Sequence, residues 1–278
     1  MLIKRILTAV IGIPILVVLI WFQTPIPWFT VFISIWGILA AYEFYRLVSH
    51  FNVAPLTWFG LLWTLLFVIS RDSGLTGILE PGFNTSLLVP FLLTSSVVFP
   101  LLWLLIRSGR ERTFASFTWT VAGILYVGWL LGYMVAVRGL PDGRSWVYYT
   151  FFVTFGSDTM AFFAGRALGR NKLAPDISPA KTREGAVGGV LGAVIVSLLF
   201  LLPTPAQLPF NWVHAIILGI LVSVFGQLGD LVESLLKRNA GVKDSGRLLP
   251  GHGGLLDRMD SVVFAGVVVY YYVVWVIL

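Results

Sequence analysis

The sequence predicts an all-α, polytopic integral membrane protein, and three observations carry that prediction. Hydrophobic residues make up 58% of the 278 residues and charged residues only 12%, where a soluble chain would approach about one-quarter charged. Apolar runs of about 20 residues, long enough to span a bilayer, recur along the whole chain. Basic residues collect in the breaks between those runs and favour one side of the implied membrane. Cysteine is absent, which excludes disulfides, thiolate metal sites and cysteine nucleophiles. The net charge of +6 does not point to nucleic acid, because the basic residues lie between apolar runs and not in a tail. Membrane topology and bound phosphate account for it better.

The opening stretch, MLIKRILTAVIGIPILVVLIWFQTPIPW, has the basic head and apolar core of a signal peptide. It lacks a small-x-small cleavage site and runs at once into another apolar segment, so it reads as an uncleaved first span. About nine spans are expected, centred near residues 14, 37, 64, 96, 126, 157, 194, 221 and 270, the third of them short. Sixteen of the 19 Lys and Arg fall on the side of the amino terminus, leaving Arg71, Arg138 and Arg144 opposite. This bias puts the amino terminus and the charged loops in the cytoplasm and the carboxyl terminus outside. Ten of the sixteen sit in two loops with chemistry of their own; without them the count is 6 against 3.

No internal repeat or low-complexity tract is visible. Charges crowd into the second half, so residues 1–140 read as anchoring and assembly helices, and residues 141–278 as a catalytic region of helices and cytoplasmic loops. In GAVGGVLGAV the small residues recur at the spacing of close helix contacts in lipid.

Three clusters retain charge where a membrane protein would shed it. The first is TFGSDTMAFFAGRALGRNK, which puts Asp158 inside the sixth span, with Arg166 two turns along the same face. A carboxylate there costs about 2.5–3.5 kcal/mol unless it meets a cation, water or a metal. The second is DISPAKTREGAVGG. Pro175 and Pro179 bar a regular helix, and Ser178, Lys181, Thr182 and Arg183 then precede Glu184 and a glycine-rich helix start. Hydroxyls, cations and free backbone N–H groups at a helix amino end suit a phosphate. A topogenic basic loop with a capping serine is the plainer alternative.

The third cluster runs from Gly226 to Ser261. Asp230, Glu233 and Lys237 fall on one helical face, and Asp257 and Asp260 share a face where the last span begins. Carboxylates so close repel unless cations neutralise them, and hard oxygen donors suit Mg²⁺ together with substrate phosphates. Lys243, Arg247 and Arg258 add positive charge suited to polyphosphate. Gly251, Gly253 and Gly254 let backbone approach a ligand closely and present His252 on a tight turn. His50, His214 and Glu43 read as structural, with Glu43 pairing to Arg46 one turn on.

These residues resemble a known signature. Ser234-x-Leu236-Lys237-Arg238, Lys243-Asp244, Pro250-x-His252-Gly253-Gly254 and Asp257-Arg258-x-Asp260 are similar to the motif of phosphatidate cytidylyltransferases, or CDP-diacylglycerol synthases. SPAKTREGAVGG and SDTMAFFAGRALGR resemble two further segments of that family, with Ala180 where lysine is usual and Phe162 where tyrosine is frequent. The matches cover roughly the last 120 residues in the family's order. The resemblance implies an inner-membrane enzyme that joins CTP to phosphatidic acid, releasing pyrophosphate. It also implies a homodimer and Mg²⁺ dependence, and admits a second, monovalent cation.

On that reading Asp230, Asp257 and Asp260 bind metal. Lys237, Lys243, Arg247 and Arg258 hold phosphates, while Asp158, Ser178, Lys181 and Thr182 complete the substrate pocket. His252 donates to a phosphate or protonates the leaving group, and Asp244 orients Lys243 or takes a metal. Two rivals are a CTP-dependent kinase of a membrane alcohol and an ion-coupled transporter whose intramembrane carboxylates are ion sites. The crowding of charge into one half, without duplicated halves, argues against the transporter.

Overall fold

Helices lie at the expected centres from residue 37 to residue 270, each ended by a proline, glycine or charged break. The computed structural model describes residues 12, 14–22, 24, 26–78, 84–106, 113–246 and 253–278. Much of the predicted first span lies outside the described residues, although 14–21 are helical. The chain divides into two units, one of Met1–Gly139 with Ala240–Asp257 and the other of Leu140–Asn239 with Arg258–Leu278. The segment Ala240–Asp257, expected with the second half, therefore belongs with the first.

In the first unit α1 spans Trp28–Val48, α2 Thr57–Ile69, a short α3 Ser73–Gly77, α4 Leu88–Ile106 and α5 Thr113–Arg138. A helix, α2, stands where the short third span was expected, but at 13 residues it falls among the shorter apolar helices and not the candidate spans. Asp72 caps α3 by accepting the Gly74 and Leu75 N–H groups, and it also accepts from the Thr30 hydroxyl of α1. Tyr45 fills the space that Gly60 and Gly123 leave, since a Cβ at either would overlap its ring. Its hydroxyl donates to the Thr120 carbonyl at 2.8 Å, which satisfies a polar group far from water. The π-helical turn Ile124–Trp129 inside α5 sets Gly128 against the Thr64 backbone of α2. Arg71 covers the faces of Trp129 and Tyr133, each 4.7 Å from its guanidinium carbon, an arrangement that lets a cation sit among aromatic rings.

In the second unit α6 is Gly143–Leu168, α7 Arg183–Leu199, α8 Trp212–Asn239 and α9 Asp260–Tyr272, continued by a π turn to Ile277. The small residues of α7 do what their spacing suggests. A Cβ at Gly188 would overlap Ala164 and one at Gly192 would meet Met160 at 2.5 Å, so the two helices touch almost backbone to backbone. Between them the proline-bearing segment forms an antiparallel hairpin of β1 (Lys172–Ala174) and β2 (Ser178–Thr182), with Lys172 opposite Thr182. This is the one departure from an all-α fold among the described residues.

Five helices are long and apolar enough to cross a membrane among the described residues: α1, α4, α5, α8 and α9 with their short extensions. The protein is a helical membrane protein. The shorter α2 and α7 and the more polar α6 stand outside that group.

Candidate functional site

The second unit gathers charge from four elements. Lys181 of β2 reaches Asp230 of α8 at 2.8 Å, and the Ser234 hydroxyl donates to the other Asp230 oxygen at 3.2 Å. One turn on, Lys237 pairs with the fully buried Glu233 at 3.4 Å. Asp260, at the start of α9, is buried. It is within hydrogen-bonding reach of Glu233 and electrostatic reach of Lys237, and takes the Ser261 N–H at 2.7 Å. Asp158, mid-way along α6, is within electrostatic reach of Asp230, Asp260, Lys181 and Arg258. The helical spacing of Asp230, Glu233 and Lys237 thus produces a true shared face, and the hairpin adds Lys181 to it. Four carboxylates and three cations in one apolar unit form a site that can neutralise a polyphosphate or be neutralised by a metal.

The hairpin is held in place at both ends. Thr182 is buried and its Oγ1 accepts from the Gly185 N–H at 3.1 Å, capping α7. Glu184 takes the Arg170 and Asn171 N–H groups at 3.2 Å and the Asn171 amide at 2.7 Å. Arg238 donates to the Ile177 carbonyl at 3.1 Å, tying the end of α8 to the turn. Ser178 is half-buried and pairs with Ala174 in the ladder. Thr182 therefore serves the backbone, while Lys181 faces the acidic face of α8.

The described residues on either side of the glycine-rich loop, up to Asp257, belong to the first unit. Asp257 lies in the 3₁₀ turn Leu256–Arg258, ahead of the helix that Asp260 opens, so the two aspartates do not share one α-helical face. Its carboxylate accepts the Ser245 N–H at 3.1 Å and the Gly254 N–H at 2.8 Å. Gly253 has φ +85°, a conformation open to glycine and strained for other residues. Lys243 and Asp244 are exposed. Arg247 and His252 lie outside the described residues. Among the described residues no three acidic or histidine side chains are grouped to hold a metal ion.

The residue that sequence reasoning missed is Glu43. It does not pair with Arg46; its carboxylate accepts from the Ser245 hydroxyl at 3.2 Å and the Leu256 N–H at 2.9 Å. The available signal was its position, a carboxylate within an apolar helix, where retention needs a reason.

The fold and site define a helical membrane protein that carries a paired acidic and basic cluster in its second unit. The family model described as "Cytidylyltransferase family" matches residues 3–276, and the chain belongs to that family. Among curated relatives it is 44% identical over 153 residues to the phosphatidate cytidylyltransferase of Bacillus subtilis, covering 55% of this chain and 56% of that protein. The protein of the same name from Staphylococcus haemolyticus is 43% identical over 166 residues, 60% of this chain and 62% of the relative. A third, from Brucella abortus, is 37% identical over 243 residues, 87% of this chain and 83% of the relative. The matches thus span little more than half the length of the first two relatives and most of the third.

Proposed function

We propose that the protein transfers the cytidylyl group of CTP to phosphatidic acid, giving CDP-diacylglycerol and pyrophosphate. The observation that carries the reading is the cluster of Asp158, Asp230, Asp260, Lys181, Lys237 and Arg258 inside a membrane protein of the cytidylyltransferase family. The lipid phosphate is already an anionic nucleophile, so no strong base is needed. One of its oxygens attacks the α-phosphorus of CTP in line; the bond from that phosphorus to the β-phosphate oxygen breaks, and pyrophosphate leaves with the electron pair. Such a reaction is accelerated mainly by alignment and charge neutralisation.

Lys181 and Arg258 supply positive charge to the phosphates. Lys237 is held by the buried Glu233 and keeps the α8 face electrically balanced. Ser178, in the same strand as Lys181, offers a hydroxyl to the nucleotide. The donor set fits Mg²⁺: Asp230 and Asp260 offer hard carboxylate oxygens, and an Asp230 oxygen already faces a cation. They would hold the ion together with substrate phosphate oxygens, and bound Mg²⁺ would neutralise the polyphosphate. Lys243, exposed on its loop, is assigned to phosphate binding, with Asp244 orienting it.

The remaining expectations are part of the same proposal: an inner-membrane location, loops and amino terminus in the cytoplasm where CTP is found, and a homodimer. The test is mass spectrometry of lipids formed by the purified protein from phosphatidic acid, CTP and Mg²⁺. CDP-diacylglycerol supports the reading. A phosphorylated lipid alcohol with CDP release would make the protein a kinase. Cation uptake into vesicles without nucleotide use would make it a transporter.

A further inference from the structure

We infer that Glu43 is a positioning residue for the glycine-rich loop: its buried carboxylate, on a helix that the sequence assigns to anchoring, is the post on which Ser245–Gly246 and Gly254–Leu256 are held. Glu43 is 3% exposed and sits near the end of α1 away from Trp28. The bonds from Ser245 Oγ and the Leu256 N–H go to Oε2. Trp36, seven residues earlier and on the same face of α1, donates its indole N–H to the Leu255 carbonyl at 3.1 Å. Helix α1 thus grips Leu255 and Leu256 at two points about two turns apart.

The loop is shaped to receive this carboxylate. A Cβ at Gly246 or at Gly254 would overlap it, so both glycines are required by close approach. Asp257 accepts the Ser245 and Gly254 N–H groups within the loop itself. Ser245 and Gly254 are therefore fixed between two carboxylates. The second Glu43 oxygen, Oε1, is buried, makes no hydrogen bond among the described residues and lies against Gly246. A carboxylate accepts these two bonds more strongly than a neutral amide would, so the charge tightens an anchor that a neutral acceptor in its place would keep in weaker form.

The inference rests on the proposed function, in which this loop presents Lys243. Three variants test it: Glu43→Ala, Glu43→Gln and Ser245→Ala, each purified in detergent and compared with the unaltered protein. Loss of the post lets the loop shift, and a displacement of about 1 Å costs about 100-fold in rate. Glu43→Ala is expected to lower kcat by that factor with the KM for phosphatidic acid changed by less than about twofold. Glu43→Gln keeps an acceptor in place of Oε2 and is expected to stay within about fivefold of the parent, the difference between charged and neutral hydrogen bonds. Ser245→Ala falls between them.

Amide exchange at Leu256 reads the anchor without reference to activity. It is expected to accelerate about tenfold in Glu43→Ala and to stay near the parent rate in Glu43→Gln. Unchanged exchange in Glu43→Ala overturns the inference, and so does accelerated exchange with full activity. Equal loss in the Gln and Ala variants overturns it too, because the charge and not the anchor would then be needed. If the parent transfers no cytidylyl group, the functional reading fails, and the exchange rates alone still decide whether Glu43 holds the loop.

Discussion

Replacing Lys181 by Met removes the cation that faces Asp230 while keeping a side chain of similar length. The pair is close, at 2.8 Å, but the two side chains keep 23% and 36% of their exposure. Water screens such a pair, and exposed ion pairs contribute about 0.2–1 kcal/mol. For a chain of this size that is a fall in Tm of no more than about 4 °C. The activity should respond on a different scale. Withdrawing one charged donor from a developing phosphoryl charge costs about 10²–10³ in rate. Thermal unfolding in detergent and initial rates of cytidylyl transfer, measured on one preparation, separate the two effects. The neighbouring pair supplies the contrast. Glu233 is fully buried and Lys237 keeps 13% of its exposure, so Lys237→Met strands a buried carboxylate and is expected to cost about 3–5 kcal/mol of stability. A Lys181→Met protein that unfolds far more easily yet turns over normally would refute the assignment of Lys181 to phosphate and leave the ion pair structural.

Three further outcomes follow from the geometry. Thr182→Ala removes the α7 cap and should cost about 0.5–2 kcal/mol in stability. The Thr182→Ala protein should keep its rate at saturating CTP, since the hydroxyl serves Gly185; a raised KM for CTP would return Thr182 to the nucleotide pocket. Gly188→Leu drives a side chain into Ala164 and should cost at least about 1–3 kcal/mol, read as loss of monodisperse protein on size exclusion. Chelation with EDTA should abolish transfer and added Mg²⁺ restore it, with Ca²⁺ a poor substitute because it accepts looser geometry; undiminished activity in EDTA would remove the metal from the account.

The helical membrane fold was legible because composition and run length act locally, and the positions of α4 to α9 follow from breaks that any reader of the chain can see. The glycines of α7 were legible for the same reason: a small residue every three or four positions can serve one helix face. The hairpin was only half legible. Pro175 and Pro179 excluded helix, but the pairing of Lys172 with Thr182 depends on contacts that proline spacing does not encode. In the site, the Asp230, Glu233 and Lys237 face came from helical spacing, whereas Lys181 joined it through the hairpin. Glu43 escaped because its partners lie 202 and 213 residues away. A local reading offered it only Arg46.

The most direct measurement of the central claim is the partition of label from CTP marked separately at its α- and γ-phosphates, supplied with phosphatidic acid and Mg²⁺ to the purified protein. Cytidylyl transfer predicts α-label in the lipid and γ-label in free pyrophosphate, in equal amounts. Label from the γ-position in the lipid, with CDP left in solution, would contradict it.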